Sequence, residues 1–121
     1  MKFVIQRVKN ASVTIDNNLY SSIGKGLLIF FCAENGDENG GEYKGKHLSQ
    51  DEVLEYFADK ILKLRIFEDK DGKMNCSLMD IDGEILVVSQ FTLAANCKKG
   101  TRPSFGNAME PKVAKKMYED F

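Results

Sequence analysis

A chain of 121 residues, 43% hydrophobic and with a formal net charge of −1, has the apolar content of one compact domain and lacks the basic excess of a general nucleic-acid binder, so any RNA contact has to be local. No run approaches the roughly 20 apolar residues of a membrane span, and Met1 to Arg7 reads as a strand rather than a leader peptide, so a cytoplasmic protein is expected with no membrane partner. The three cysteines, Cys32, Cys76 and Cys97, are widely separated and form no CxxC pair. They suggest neither a disulfide framework nor a zinc site, and are expected to be reduced thiols.

In chain order, Lys2 to Val8 favours a strand, and Ala11 to Ile15 with Leu19 to Ile23 reads as a hairpin turned by Asp16-Asn17-Asn18. Gly24-Lys25-Gly26 breaks the chain before Leu27 to Ala33, whose unbroken apolar character suits a central strand covered on both faces. Glu34 to Leu48 is polar and carries Gly36, Gly40, Gly41 and Gly45, which predicts a surface loop with no packed element. Ser49 stands three residues before Glu52, the reciprocal capping box of a helix start, and Val53, Phe57, Ile61 and Leu64 then form one apolar stripe on a helix ending near Arg65.

Arg65 to Phe67 reads as a short strand, Asp69 to Gly72 as a turn, and Ser77 to Met79 as an extended piece before a turn at Asp80 to Gly83. Glu84 to Phe91 is a strand that is almost wholly apolar until Ser89-Gln90, where polar groups emerge at its carboxyl end. A basic loop follows from Ala94 to Gly106, and Pro111 opens a last helix whose buried face is Val113, Met117 and Phe121.

Catalysis by a Ser–His or Cys–His pair needs an imidazole within reach of the nucleophile, and the single histidine, His47, lies in the Gly-rich segment. Phosphate-binding glycine loops are missing too, since Gly24-Lys25-Gly26 leads into a strand and not a helix. Ser89-Gln90-Phe91-Thr92 remains. Its hydroxyls can simply satisfy a turn at a strand end. Equally, backbone N–H groups freed where pairing stops can hold an oxyanion, and one such donor is worth on the order of 10²–10³ in rate. The basic groups Lys98, Lys99, Arg102 and Lys112, Lys115, Lys116, each taken alone, read as solvated surface rather than as a binding site.

Over nearly its whole length the chain resembles the D-aminoacyl-tRNA deacylase family, through Val4-Ile5-Gln6-Arg7-Val8, Ala11-Ser12-Val13, Ile23 to Leu27, Lys60 to Phe67 and Gly72 to Asn75. The most specific segments are Leu86 to Leu93, containing Ser89-Gln90-Phe91-Thr92-Leu93, and Lys98-Lys99-Gly100-Thr101-Arg102-Pro103-Ser104-Phe105. The resemblance implies an α/β fold in one domain over 1–121, a mixed, largely antiparallel and barrel-like β core with flanking helices. It implies hydrolysis of the ester of D-aminoacyl-tRNA, or of glycine on the wrong tRNA, as a proofreading step of translation. No metal or other cofactor is implied, and the partners are aminoacyl-tRNA and a second copy, in a homodimer with its sites at the subunit interface.

Carried onto matching positions, Ser89, Gln90, Phe91 and Thr92 surround the terminal adenosine and the ester, Phe105 shapes the same pocket, Arg7 supports the loop that selects chirality, and Lys98, Lys99 and Arg102 contact tRNA phosphates. Two mechanisms have been proposed for the family, a threonine nucleophile and water activated with help from the RNA 2′-hydroxyl. With no imidazole to deprotonate Thr92, the second is favoured, with Thr92 orienting the ester. One family signature is absent: the C-terminal Gly-Pro segment, since Pro103 and Pro111 follow Arg102 and Glu110. A C-terminally truncated form is therefore the expectation, with a non-catalytic RNA-binding or dimerisation paralogue as the alternative.

Overall fold

The structure, a computed structural model, describes residues 1–121. It has a mixed α/β order: β1 (Lys2–Val8), β2 (Ala11–Ile15), β3 (Asn18–Ile23), β4 (Gly26–Cys32), β5 (Gly41–Tyr43), β6 (Lys46–Leu48), α1 (Gln50–Lys63), β7 (Phe67–Glu68), β8 (Met74–Cys76), β9 (Glu84–Ser89) and α2 (Pro111–Asp120). Single 3-10 turns lie at Asp37–Asn39 and Phe91–Ala94. One sheet runs in the order β1-β4-β9, and β2-β3, β5-β6 and β7-β8 form separate antiparallel pairs. The central place of β4 explains its composition: Leu27, Ile29, Phe31 and Cys32 are all within 1% of full burial, as expected for a strand with neighbours on both edges and cover on both faces. By contact the chain divides into two compact units, residues 1–3, 30–58 and 89–121, and residues 4–29 and 59–88.

The first unit is built around aromatic side chains. The Phe3 ring lies 5.4 Å from Phe31, 5.0 Å from Phe57 and 5.1 Å from Phe121, and Phe31 and Phe121 stack at 5.5 Å. Such pairs add to the roughly 1.5–3 kcal/mol that burying each large side chain contributes. The capping box forms as expected: Ser49 N–H donates to Glu52 Oε2 at 2.8 Å, and Glu52 N–H donates to Ser49 Oγ at 3.3 Å. At α2 the cap is Glu110, whose carboxylate accepts from the N–H groups of Lys112 and Val113. Of the face expected to be buried, Met117 is fully covered and Phe121 partly so, but Val113 is 41% exposed. Val113, in the first turn of the helix, lies beyond the part of this face that the rest of the unit covers.

The segment 34–48 corrects the expectation of an unstructured loop. Its glycines are the joints of a hairpin: Gly40 and Gly45 adopt φ of +74° and +76°, and Lys44 at +52° completes the tight turn between β5 and β6. A Cβ on Gly40 would sit 1.9 Å from the Leu48 carbonyl oxygen, so no other residue fits there. The anchor is Tyr43, whose ring lies 5.2 Å from Tyr56 and 5.7 Å from Phe57.

In the second unit, Leu27, Ile29, Ile61, Phe67, Leu78 and Leu86 are the buried apolar residues. The β2–β3 turn is tighter than expected, two residues rather than three, because Asp16 and Asn17 both take positive φ, 51° and 63°. The short strands shift: Phe67–Glu68 pairs with Met74–Cys76, whereas Ser77 to Met79, expected to be extended, enters a turn. There Ser77 N–H donates to Asp80 Oδ2 at 2.8 Å and Asp80 N–H to Ser77 Oγ at 3.2 Å, a local pairing that outcompetes the strand. Gly26 is required by close approach, since a Cβ would fall 1.8 Å from the Glu84 carbonyl oxygen.

Candidate active site

The strand expected to reach Phe91 ends at Ser89. Gln90 N–H still donates to the Phe31 carbonyl at 2.8 Å, and the backbone then folds into the 3-10 turn, with Leu93 N–H on Gln90 O at 3.4 Å and Ala95 N–H on Thr92 O at 3.1 Å. The change of direction leaves Ser89 and Thr92 exposed and Phe91 60% exposed at the end of β9. In a turn of this kind the leading N–H groups, here Phe91 and Thr92, have no carbonyl within the turn to bond. The Gln90 side-chain amide donates to Thr92 Oγ1.

Beneath the turn, the Cys32 thiol lies 3.6 Å from the Phe91 carbonyl oxygen. Burial first, and then the Glu34 carboxylate, push this thiol above its ordinary range, so it stays protonated and acts as a weak donor rather than a nucleophile. Above the turn, the Phe91 and Phe105 rings meet edge to face at 5.7 Å. The two most specific segments of the sequence therefore come into contact.

Between them the basic loop is pinned at its base. Asn96 and Ser104 exchange both backbone hydrogen bonds, at 2.7 and 2.9 Å, and Lys98 N–H donates to Asn96 Oδ1 at 3.0 Å. Lys98, Lys99 and Arg102 lie exposed on the resulting loop, which turns at Gly100 with φ +67°. Arg7 belongs to the second unit, where its guanidinium donates to the Ile66 carbonyl at 2.8 Å. His47 sits on β6 with Nδ1 2.9 Å from Glu42 Oε1, an exposed pair that faces no nucleophile. Sequence reasoning missed Lys2, whose ammonium donates to the Leu93 carbonyl at 3.1 Å and so holds the turn from the other side. Nothing local in the sequence marks that pairing, which spans 91 positions.

A cleft of about 460 Å³ lies elsewhere, lined by Asp51, Leu54, Glu55, Lys116, Asp120 and Phe121. No group of three or more His, Cys, Asp or Glu side chains is arranged to hold a metal ion, and no helix is long and apolar enough to cross a membrane.

The profile of the family described as D-Tyr-tRNA(Tyr) deacylase matches residues 4–121. The chain belongs to that family. A relative from Lactobacillus acidophilus called D-aminoacyl-tRNA deacylase is 52% identical over 121 residues, which is all of this chain and 75% of the relative. Among solved structures of the same architecture, one titled c-Myc DNA Unwinding Element Binding Protein is 38% identical with a TM-score of 0.77, over 98% of this chain and 72% of the other. A probable eukaryotic D-amino acid tRNA deacylase superposes with a TM-score of 0.73 at 19% identity, over 98% of this chain and 62% of the other, a likeness of fold alone. The family fold thus carries the mixed α/β arrangement read from the sequence.

Proposed function

We infer that the protein hydrolyses the ester joining a D-amino acid, or glycine carried on the wrong tRNA, to the terminal adenosine of tRNA. The products are the free amino acid and free tRNA, and the step removes mischarged tRNA before translation can use it. The observation that carries this reading is the contact of Phe91 with Phe105, at 5.7 Å. It joins the Ser89–Leu93 turn to the segment that follows the basic loop, in a chain whose family is that of the deacylases.

On this reading Ser89, Gln90, Phe91 and Thr92 receive the ester and the adenosine, and the exposed Phe91 and Phe105 rings offer faces on which a base can stack. The Thr92 hydroxyl oxygen already accepts the Gln90 amide, which draws electron density from it and leaves its proton free to donate. That is the pose of an orienting group rather than a nucleophile, and with no base beside it the attacking water takes its activation from the RNA 2′-hydroxyl. Lys98, Lys99 and Arg102 meet the phosphates of the acceptor end. By family resemblance Arg7 would support a chirality-selecting loop, whose Gly-Pro segment does not occur among residues 1–121; the chain acts as one domain in a cytoplasmic homodimer with sites at the interface, and no cofactor takes part.

The test is hydrolysis of D-tyrosyl-tRNA by the purified, folded chain, with L-tyrosyl-tRNA alongside. Release of D-tyrosine above the spontaneous rate is expected. A folded protein that leaves D-aminoacyl-tRNA and glycyl-tRNA equally untouched overturns the reading.

A further inference from the structure

The Phe91–Ala94 turn and the segment carrying Phe105 come from different parts of the chain, and one side chain touches the supports of both. Glu34 lies just beyond β4 with its side chain only 14% exposed. Its Oε2 accepts from Asn107 Nδ2 at 2.7 Å and lies 3.4 Å from the Lys2 ammonium. Lys2 in turn donates to the Leu93 carbonyl inside the turn, while Asn107 is two residues past Phe105. The backbone beside Glu34 adds to the second arm, with Asn35 N–H on Asn107 O at 3.0 Å and Asn35 Nδ2 on Gly106 O at 3.0 Å.

We propose that Glu34 is the positioning residue that holds the two halves of this site in register, through Lys2 to the Phe91–Ala94 turn and through Asn107 to Phe105. The proposal rests on the deacylase reading for its effect on rate, and on geometry alone for its effect on structure. Glu34 touches no reacting atom; it acts through the two residues it binds.

A carboxylate is needed because two cations converge on it. Besides Lys2, the Met1 ammonium donates to Glu34 Oε1 at 3.1 Å. Burial works against the charge, but the hydrogen bond and charge of the Met1 ammonium, together with Lys2 and Asn107, outweigh it and hold the Glu34 carboxyl below its ordinary value. An amide at this position could still accept from Asn107, yet it would lose the attraction that keeps Lys2, half exposed and with many rotamers, aimed at Leu93 O. The Met1 ammonium would retain Asp37, 2.6 Å away, so loss of the Glu34 charge leaves no cation stranded there.

Glu34→Gln, Lys2→Met and the double variant in the full chain test this by two readouts. One is steady-state hydrolysis of D-tyrosyl-tRNA, and the other is the backbone amide NMR shifts of Thr92, Leu93 and Asn107 in the free protein. Glu34→Gln is expected to lower kcat by roughly 10- to 100-fold with KM within about twofold, since the ester binds but is misaligned. Amide signals on both arms should move, those of Leu93 and Asn107 together. Because Glu34 acts through Lys2, the double variant should lose no more than the worse single one. Lys2→Arg, which keeps a cation between Glu34 and Leu93 O, should retain kcat within about twofold.

Fully multiplying losses, or a Glu34→Gln protein with unchanged kcat and an unmoved Leu93 amide, overturn the proposal. If Glu34→Gln does not fold, Lys2→Met and Asn107→Ser cut the arms one at a time, and wild-type kcat in both overturns it equally. A wild-type protein without deacylase activity refutes the functional reading, while the coupled amide shifts still decide whether Glu34 links the two segments. Lys63→Gln, at an exposed pair with Asp59 on α1, serves as the unchanged control.

Discussion

Two polar, glycine-containing connections of similar character meet opposite fates. In residues 34–48 the acidic groups are used internally: Glu34 and Asp37 hold the Met1 ammonium, Glu42 faces His47, and Tyr43 clamps the β5–β6 hairpin against Tyr56 and Phe57. In residues 94–106 the Asn96–Ser104 pair fastens the base of the loop, and the basic groups Lys98, Lys99 and Arg102 are left facing solvent. Charge that is bound inside a fold builds it, whereas charge held out on a pinned loop is available to a ligand. On the proposed function that ligand is a tRNA end, with its closely spaced phosphates.

The largest effect that separates the two loops should come from Tyr43→Ala. Removing a half-buried aromatic clamp is expected to cost about 2–3 kcal/mol in urea unfolding, with little change in the salt dependence of tRNA binding. The reverse pattern is expected from Lys98→Ala, Lys99→Ala and Arg102→Ala combined. Stability should stay within about 0.5 kcal/mol of wild type, while affinity for an acceptor-stem RNA falls and the log–log salt slope becomes shallower by up to about 2. A flat salt response in the wild-type protein would remove phosphate contact from the account.

Asn96→Ala should lie between these, losing the side-chain bond to Lys98 N–H and about 1 kcal/mol of stability, together with a modest loss of RNA affinity as the loop loosens. The smallest effect is one of pH. Because the folded protein holds the Glu34 carboxyl below its ordinary value of 4.5, its contribution to stability is present above that value. It fades as pH falls toward the depressed one, where the group takes up a proton in the folded state as well. Unfolding midpoints of wild type and Glu34→Gln should therefore differ most at neutral pH and converge in acid.

Much of the fold could be read from local pattern. The apolar run of β4, the Ser49–Glu52 capping box and the position of Pro111 in α2 each depend on a few neighbouring residues, and each lies where the sequence places it. The departures arise where side-chain partners that the apolar pattern does not reveal decide the backbone. Tyr43 turns a glycine-rich stretch into a hairpin only because α1 supplies Tyr56 and Phe57. Ser77 and Asp80 bond each other and pull the expected strand into a turn, shifting β8 back to Met74–Cys76.

The candidate site divides along the same line. Ser89, Gln90 and Thr92 were visible as polar groups ending an apolar strand, but the 3-10 turn that presents them was not. The supports Lys2, Glu34 and Asn107 were invisible, because the bonds that define them span 91 and 73 positions. Arg7 is marked by family resemblance alone, since its partner, the Ile66 carbonyl, is 59 positions away.

The claim that the Phe91–Phe105 contact marks the site where the ester is cut is tested most directly by the rate of D-tyrosine release from D-tyrosyl-tRNA by Phe105→Ala beside wild type. Ring loss at a partly exposed position should leave the protein folded while misplacing the terminal adenosine, so a fall of about 10-fold or more in kcat/KM is expected. A folded Phe105→Ala protein that releases D-tyrosine at the wild-type rate would contradict it.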